Sequence, residues 1–227
     1  MENQSIYRDL DYIDLGLIDY DVAWKFQKSL FEKRLNDLIP DTLLLLEHPN
    51  TYTLGKTADK NNLIGDDDFL KSKGIKVYDI DRGGDITYHG PGQIVGYPIF
   101  DLGQWERDAH RYLRSLEEVI IKTCDDFGLK TIRNNEHTGV WIEDRKICAI
   151  GIKISKWITM HGFAFNINTD LDLFNGIIPC GIEDKEVTSL GKELDQTFDI
   201  QNIKNAIIKN AKEIFSYDKV KTQMLDI

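Results

Sequence analysis

Cysteine is scarce in this 227-residue sequence: Cys124, Cys148 and Cys180 are the whole complement, and they lie far apart. An odd, scattered set is no disulfide framework and fits a reducing compartment. It also cannot supply the paired CxxC ligands of a structural zinc site. Proline is scarce too, with five residues, and no Pro/Ser-rich linker, repeat or low-complexity tract interrupts the chain. A single domain over residues 1–227 is therefore expected. No apolar run approaches the ~18 residues that would suggest a membrane span. The opening residues, MENQSIYRDLDYIDLG, lack an uninterrupted apolar segment and an Arg-rich bias, so the expected location is the cytoplasm. Basic residues are outnumbered, 28 Lys and Arg against 38 Asp and Glu, a net charge of −10. A surface this acidic repels nucleic acid and anionic lipid, and no segregated basic stripe offsets it.

What is present is an ordinary globular pattern of alternating strands and helices. Tyr12–Leu17 alternates as a strand, and Asp19 or Asp21 caps a helix whose stripe is Phe26, Leu30, Phe31, Leu35 and Leu38, ended by Pro40. Thr42–Glu47 carries four consecutive leucines and reads as a buried strand, with Thr51–Leu54 as a return strand. A short helix over Phe69–Lys73 closes at Gly74, and strands follow at Ile75–Ile80 and Gln93–Phe100. Ala109, Tyr112, Leu113, Leu116, Ile120, Cys124 and Phe127 form one face of a long helix that stops at Gly128. Strand-like runs at Gly139–Ile142, Lys146–Ile154 and Ile158–Asn168 precede a last helix with Ile203, Ala206, Ile207, Ala211, Ile214 and Phe215 on one side. This order predicts an α+β fold with helices on one face of the sheet.

Two segments are stranger than a fold requires. Residues 82–93, RGGDITYHGPGQ, hold four glycines around Asp85–His89, where a plain hairpin needs one or two. Backbone that must approach something closely is one reading and a simple Gly-rich connection the other. The segment matches neither GxxxxGK[ST] nor GxGxxG. The second segment runs from His161 to Cys180, and Cys180 stands between Pro179 and Gly181, on a turn. Cys124 falls on a helix core face and Cys148 inside a strand, so both read as inert buried thiols. A nucleophilic thiol needs its thiolate stabilised by a nearby cation or imidazolium. His161, His89 and Lys146 are the candidates. Strand alternation would put Lys146, Cys148 and Ile150 on one face and Ile147, Ala149 and Gly151 on the other, with Lys146 either at an exposed edge or inward.

The ordered set RGGDITYHGPGQIVGYPIFDL, RKICAIGIKI, HGFAFNIN and IPCGI resembles the lipoyl(octanoyl) transferase family of lipoate biosynthesis. EHPNTYTLGK nearer the N-terminus resembles the family's EHP…TLG segment, though Asn50-Thr51 and Lys56 depart from it. The resemblance spans roughly Leu43 to Leu190. It implies the mixed α/β catalytic domain of biotin and lipoate protein ligases, and an enzyme that moves an octanoyl group from acyl carrier protein to a lysine of lipoate-dependent proteins. Those acceptors would be lipoyl domains of 2-oxoacid dehydrogenase complexes and the glycine-cleavage H protein. Cys180 would match the acyl-thioester nucleophile and Lys146 the lysine that lowers its pKa. Arg82, Gly83, Gly84, Asp85, Ile86, Thr87, Tyr88 and His89, then Ala149, Ile150 and Gly151, then Gly162, Phe163 and Ala164 would match segments lining the acyl substrate. The glycines among them would leave an open groove for methylenes. No cofactor or metal is implied, and a monomer is expected.

Acyl carrier proteins and lipoyl domains are generally acidic, as their families imply, so an acidic enzyme needs a locally basic docking rim. Arg145, Lys146, Lys153 and Lys156 are the residues expected to form it.

Overall fold

The computed structural model describes residues 8–134, 136–179 and 186–223. In chain order the elements are β1 (Asp9–Leu17), α1 (Tyr20–Leu35), β2 (Asp41–Glu47), β3 (Thr51–Leu54), α2 (Asp67–Ser72), β4 (Lys76–Asp79), β5 (Ile86–His89) and β6 (Gln93–Ile99). Next come α3 (Ala109–Asp126), β7 (Ile132–Arg133), β8 (Val140–Ile142), β9 (Arg145–Ser155) and β10 (Ile158–Asn166). The last are β11 (Glu186–Val187), α4 (Leu190–Leu194), α5 (Ile200–Ile214) and β12 (Lys219–Gln223).

The large sheet runs β12-β1-β2-β6-β10-β9-β8-β7, with β11 pairing beside the start of β9. Its β12-β1-β2 portion is parallel, and the path from β2 to β7 is antiparallel. A second sheet of three strands, β4-β3-β5, lies apart from it.

The four leucines of β2 explain the layering. Leu43 and Leu45 join the core that α3 and α5 cover, with Tyr112, Leu116, Ile120, Ile203 and Ile207. Leu44 and Leu46 join the core under α1, with Ala23 and Leu30. A strand buried on both faces reads as a continuous apolar run rather than an alternating one. Helices thus cover both faces of the sheet, which corrects the one-face arrangement expected from sequence. The small sheet has its own core, Tyr52, Leu54, Ile86 and Tyr88 against Leu173, Phe174 and Ile177.

Local signals hold in most places. Asp66, Asp108, Asp199 and Ser189 cap their helices through side-chain oxygens that accept backbone N–H groups. Gly128 follows α3 at φ +84°, a conformation that favours glycine. The first helix stops earlier than its stripe suggests: Asn36 caps it, Asp37 turns left-handed, and Leu38 is exposed.

One buried carboxylate ties four parts of the fold together. Asp41 Oδ1 accepts from Arg34 Nε (2.8 Å) and from the Asp101 N–H (2.8 Å). Its Oδ2 accepts from Arg8 (2.9 Å) and from the Tyr217 hydroxyl (2.7 Å). Asp41 and Arg34 are each 3% exposed.

A second buried group makes stability depend on pH. His48 donates from Nδ1 to the Ile18 carbonyl (2.7 Å) and accepts at Nε2 from the Tyr97 hydroxyl (2.8 Å), so its ring is held neutral. Burial lowers its pKa to about 4, against weaker opposition from the Ile18 carbonyl and Asp19. Between pH 6.5 and 4 the unfolded chain therefore binds a proton that the folded chain refuses. Stability is full above pH 6.5 and falls as the pH drops toward 4, by on the order of 3 kcal/mol from this residue. The thermal midpoint should be level above about pH 7 and decline steadily below 6.5. A flat profile from pH 7 to 5 would contradict the assignment.

Candidate active site

A cavity of about 630 Å³ lies between the small sheet and the large one. Its walls are the 82–87 loop and β5, the facing strands β9 and β10, Tyr20 of α1, and Val95 and Tyr97 of β6. Among the residues singled out in the sequence, it gathers Arg82, Gly83, Gly84, Asp85, Ile86, Thr87, His89, Lys146, Ala149, Ile150, Gly151, Gly162, Phe163 and Ala164. Strand pairing aligns the small residues: Ala149 opposes Ala164, and Gly151 opposes Gly162. Tyr88 goes elsewhere. Its ring packs against Tyr52 and Phe174 in the small-sheet core, and its hydroxyl donates to Asn50 Oδ1 (2.9 Å).

The glycines serve close packing more than open space. A Cβ on Gly151 would stand 2.9 Å from both Arg82 Cδ and the Gly83 carbonyl, so the Arg82 stem lies directly on the strand there. Gly84 takes φ +91°. Its carbonyl comes so close to Gly55 that a Cβ on that residue would stand 2.1 Å away. The open methylene groove expected at Gly151 is thus filled by the arginine stem, and the small floor is the Ala149–Ala164 pair. The Arg82 guanidinium donates to the Thr53 carbonyl and hydroxyl (2.8 and 2.9 Å). Asp85 accepts from Ile86 N–H (2.7 Å) and Asn62 Nδ2 (2.5 Å), which pins the loop to residues 59–62.

Lys146 is buried, and its Nζ lies 4.7 Å from the centroid of the Trp141 ring. Simple alternation does not put it there. The β8–β9 register slips between Val140 and Trp141, so Ile147 and Cys148 both turn into the helix-side core. Such a bulge re-aims what precedes it. Lys146 consequently lies on the cavity side with Ala149 and Gly151 and is parted from Cys148, with which alternation would place it. Its other neighbour is Val187 of β11, and Thr188 N–H donates to the Lys146 carbonyl (2.9 Å). Pro179 and Val187 line a small recess together with Lys146, Ala149, Ala164 and Asn166. Cys180, the next residue after Pro179, lies outside the described residues.

The remaining cysteines are unsuited to nucleophilic work. Burial pushes the Cys124 thiol up to about 12 and the Cys148 thiol well above its ordinary value. His89 belongs to the core. Its Nδ1 donates to Gln93 Oε1 (2.9 Å), the Thr53 hydroxyl approaches Nε2 (3.4 Å), and burial drives its pKa well below the usual histidine range. Gln93 then donates to Asn166 Oδ1 (2.9 Å), and Asn166 to the Thr188 carbonyl (2.9 Å). A buried polar chain thus runs from Arg82 to the residue hydrogen-bonded to Lys146.

The expected basic rim is largely neutralised. Arg145 pairs with Glu193 (2.9 Å) and Glu143 (2.8 Å), and Lys153 with Asp81 (2.5 Å). Lys146 is inside, and Lys156 is exposed at the β9–β10 turn. The sequence reading missed Tyr20, Tyr97 and Asp81, each of which touches the cavity or its wall from outside the Gly-rich segments.

Comparison with known proteins gives a consistent result. Residues 19–212 match the family described as the lipoyl protein ligase A/B catalytic domain. The chain is similar to the octanoyltransferase of Christiangramia forsetii, at 44% identity over 225 residues, covering 92% of this chain and 96% of that protein. It is similar to the octanoyltransferase of Rubrobacter xylanophilus at 50% identity, covering 88% of this chain and 90% of that one. Among solved structures, lipoate-protein ligase A bound with ATP superposes with a TM-score of 0.73 at 15% identity, covering 96% of this chain and 90% of that one.

Proposed function

The chain belongs to the lipoyl protein ligase A/B catalytic-domain family and, within it, to the octanoyltransferases, and we propose that it transfers octanoyl groups from acyl carrier protein to lysines of lipoate-dependent proteins through a thioester on Cys180. As an octanoyltransferase it is an acyltransferase. The donor, the covalent intermediate and the acceptors, lipoyl domains of 2-oxoacid dehydrogenase complexes and the glycine-cleavage H protein, are the proposed parts. The whole chain, residues 1–227, would act as one cytoplasmic catalytic domain.

The observation that carries this reading is Lys146: a buried amine re-aimed by a strand bulge into the cavity, sharing a recess with the residue before Cys180. An ammonium beside a thiol favours the thiolate. The Cys180 thiolate would attack the donor's thioester carbonyl. The carbon–sulfur bond to the carrier breaks, and the carrier sulfur takes a proton from the Lys146 ammonium and leaves as a thiol. The acceptor's lysine amine then attacks the acyl-enzyme, expels the Cys180 sulfur and forms an amide. The proton lost by the amine returns to Lys146, which restores the ammonium beside the Cys180 thiolate. Thioester exchange is nearly isoenergetic and amide formation from a thioester is downhill, so no ATP enters. Each methylene buried along the Ala149–Ala164 floor stabilises the bound chain by about 0.8 kcal/mol.

The test is intact mass measurement after mixing with octanoyl carrier protein without ATP. One octanoyl adduct, mapped to Cys180 and discharged by a lipoyl domain, is expected. Transfer that requires ATP, or that proceeds with no adduct, would overturn the mechanism.

A further inference from the structure

One end of the cavity is built by a device that the transfer chemistry leaves unused. β9 runs from Lys146 to Ile152, on the order of 20 Å of strand, and Ile152 pairs with His161 of β10. His161 therefore borders the cavity at the end away from Lys146. Its backbone sits at φ +56°, a left-handed conformation uncommon for a residue with a Cβ. The consequence is visible in its neighbours. Phe163 and Phe165, at alternate positions on the same strand, point into the core under α3, whereas the His161 ring turns to the opposite face. There it meets Trp24 of α1 and Tyr97, with ring centroids 6.4 Å away in each case. The turned backbone N–H is received by the buried Gln27 Oε1 (3.0 Å).

The strain places one contact. His161 Nε2 donates to Asp81 Oδ1 (2.8 Å), and Lys153 of β9 donates to Asp81 Oδ2 (2.5 Å). Asp81 immediately precedes Arg82-Gly83-Gly84, and the Gly83 N–H bonds to the Ile152 carbonyl (3.0 Å). Three ties from adjacent positions on β9 and β10 thus converge on the first turn of the loop that walls this end. Strained backbone kept by its surroundings is a signature of a functional constraint.

We propose that His161 is a positioning residue which, through Asp81, holds the 81–84 turn against β9 and β10 and thereby sets the length of acyl chain the cavity accepts. This rests on the proposed transfer, in which the reacting carbonyl lies near Lys146 and the methyl end runs toward His161. The clamp acts on binding of the chain's far end and not on the thioester chemistry.

The experiment compares saturated acyl donors of six to fourteen carbons, together with equilibrium binding of the corresponding free acids, which needs no turnover. His161→Phe keeps the aromatic packing and removes the donor to Asp81. It is expected to raise KM for octanoyl donor about tenfold, with the larger part of the loss in KM rather than kcat, and to move the preferred chain to a longer one in both assays. His161→Gln, whose amide nitrogen overlays Nε2 and can donate to Asp81, should restore the octanoyl preference. Asp81→Ala cuts the same tie from the partly exposed loop and should repeat the phenylalanine result if that variant folds poorly. An unchanged length profile, or an equal loss at every length, would overturn the inference. Wild-type protein that bound the acids with the stated length preference but transferred no octanoyl group would instead refute the transfer reading and leave the clamp standing.

Discussion

Replacing Lys146 with alanine is expected to lower octanoyl transfer by about 10²–10⁴-fold, the range that a positioned proton-transfer group supplies. Replacing Cys180 with alanine should abolish both adduct and transfer. The two effects differ in kind. Without Lys146 the thiol loses the ammonium that favours its ionised form, so the adduct should still form, slowly, and faster as the pH rises. Neither of the two histidines singled out in the sequence is in position to substitute. His89 is buried with both ring nitrogens engaged, and His161 is committed to Asp81 at the cavity's other end. Lys146→Arg should not restore the rate. A guanidinium keeps the charge but does not give up its proton in proteins, and the site beside the Trp141 ring is shaped by the lysine stem. Single-turnover acylation and deacylation rates separate the two roles. A Lys146→Ala enzyme within a few-fold of the native rate in both half-reactions would remove the lysine from the mechanism.

Asp41→Ala is expected to destabilise the fold by about 3 kcal/mol, the low end of the range for breaking a buried ion pair by removing one partner. The carboxylate receives Arg34 inside the protein and also holds Arg8, Tyr217 and the Asp101 N–H. Removing it leaves Arg34 Nε, the Arg8 guanidinium and the buried Tyr217 hydroxyl without their acceptor, while Arg34 keeps Asp37 (2.6 Å) and Asp101 (3.2 Å). Urea unfolding should show a lower midpoint at an unchanged slope. By contrast, loss of the exposed Lys25–Asp21 pair on α1 should cost well under 1 kcal/mol. Equal effects from the two would mean that burial does not govern these ion pairs.

The parts of this protein legible in its sequence are those governed by short-range chemistry. Aspartate and serine caps, the left-handed glycine after α3 and the long amphipathic helices all report on a few consecutive residues. The catalytic candidates were legible because Lys146 interrupts an apolar strand and Cys180 stands between proline and glycine. Four things were not. The two-sided burial of Leu43–Leu46 was present in the run of leucines, yet the element order suggested a single helical layer. The bulge that turns Lys146 toward Ala149 depends on how β8 pairs with β9, and no local pattern in RKICAIGIKI records that pairing. Strand β12 was invisible because an edge strand reading KVKTQ has almost no apolar alternation. It exists through its register with β1. Asp81 and Tyr20 likewise carry no motif and join the cavity wall only through the tertiary fold.

The pairing of β12 with β1 also sets the order in which the molecule can be made. The Arg8 N–H bond to Asp218 joins residues 210 apart in sequence, and Asp9 pairs with Lys219 beside it. On a ribosome, β1 leaves the tunnel some 210 residues before its outer neighbour β12. Until then β1 is an open sheet edge, and Asp41 lacks its Tyr217 partner. Pairings this distant close late and leave the nascent chain prone to association. The alternating Lys219 and Lys221 on the strand that finally covers the edge discourage another chain from adding there. A chain shortened before Lys219 should therefore reach its other contacts and still be retained by chaperones, because the last seam of the sheet never closes.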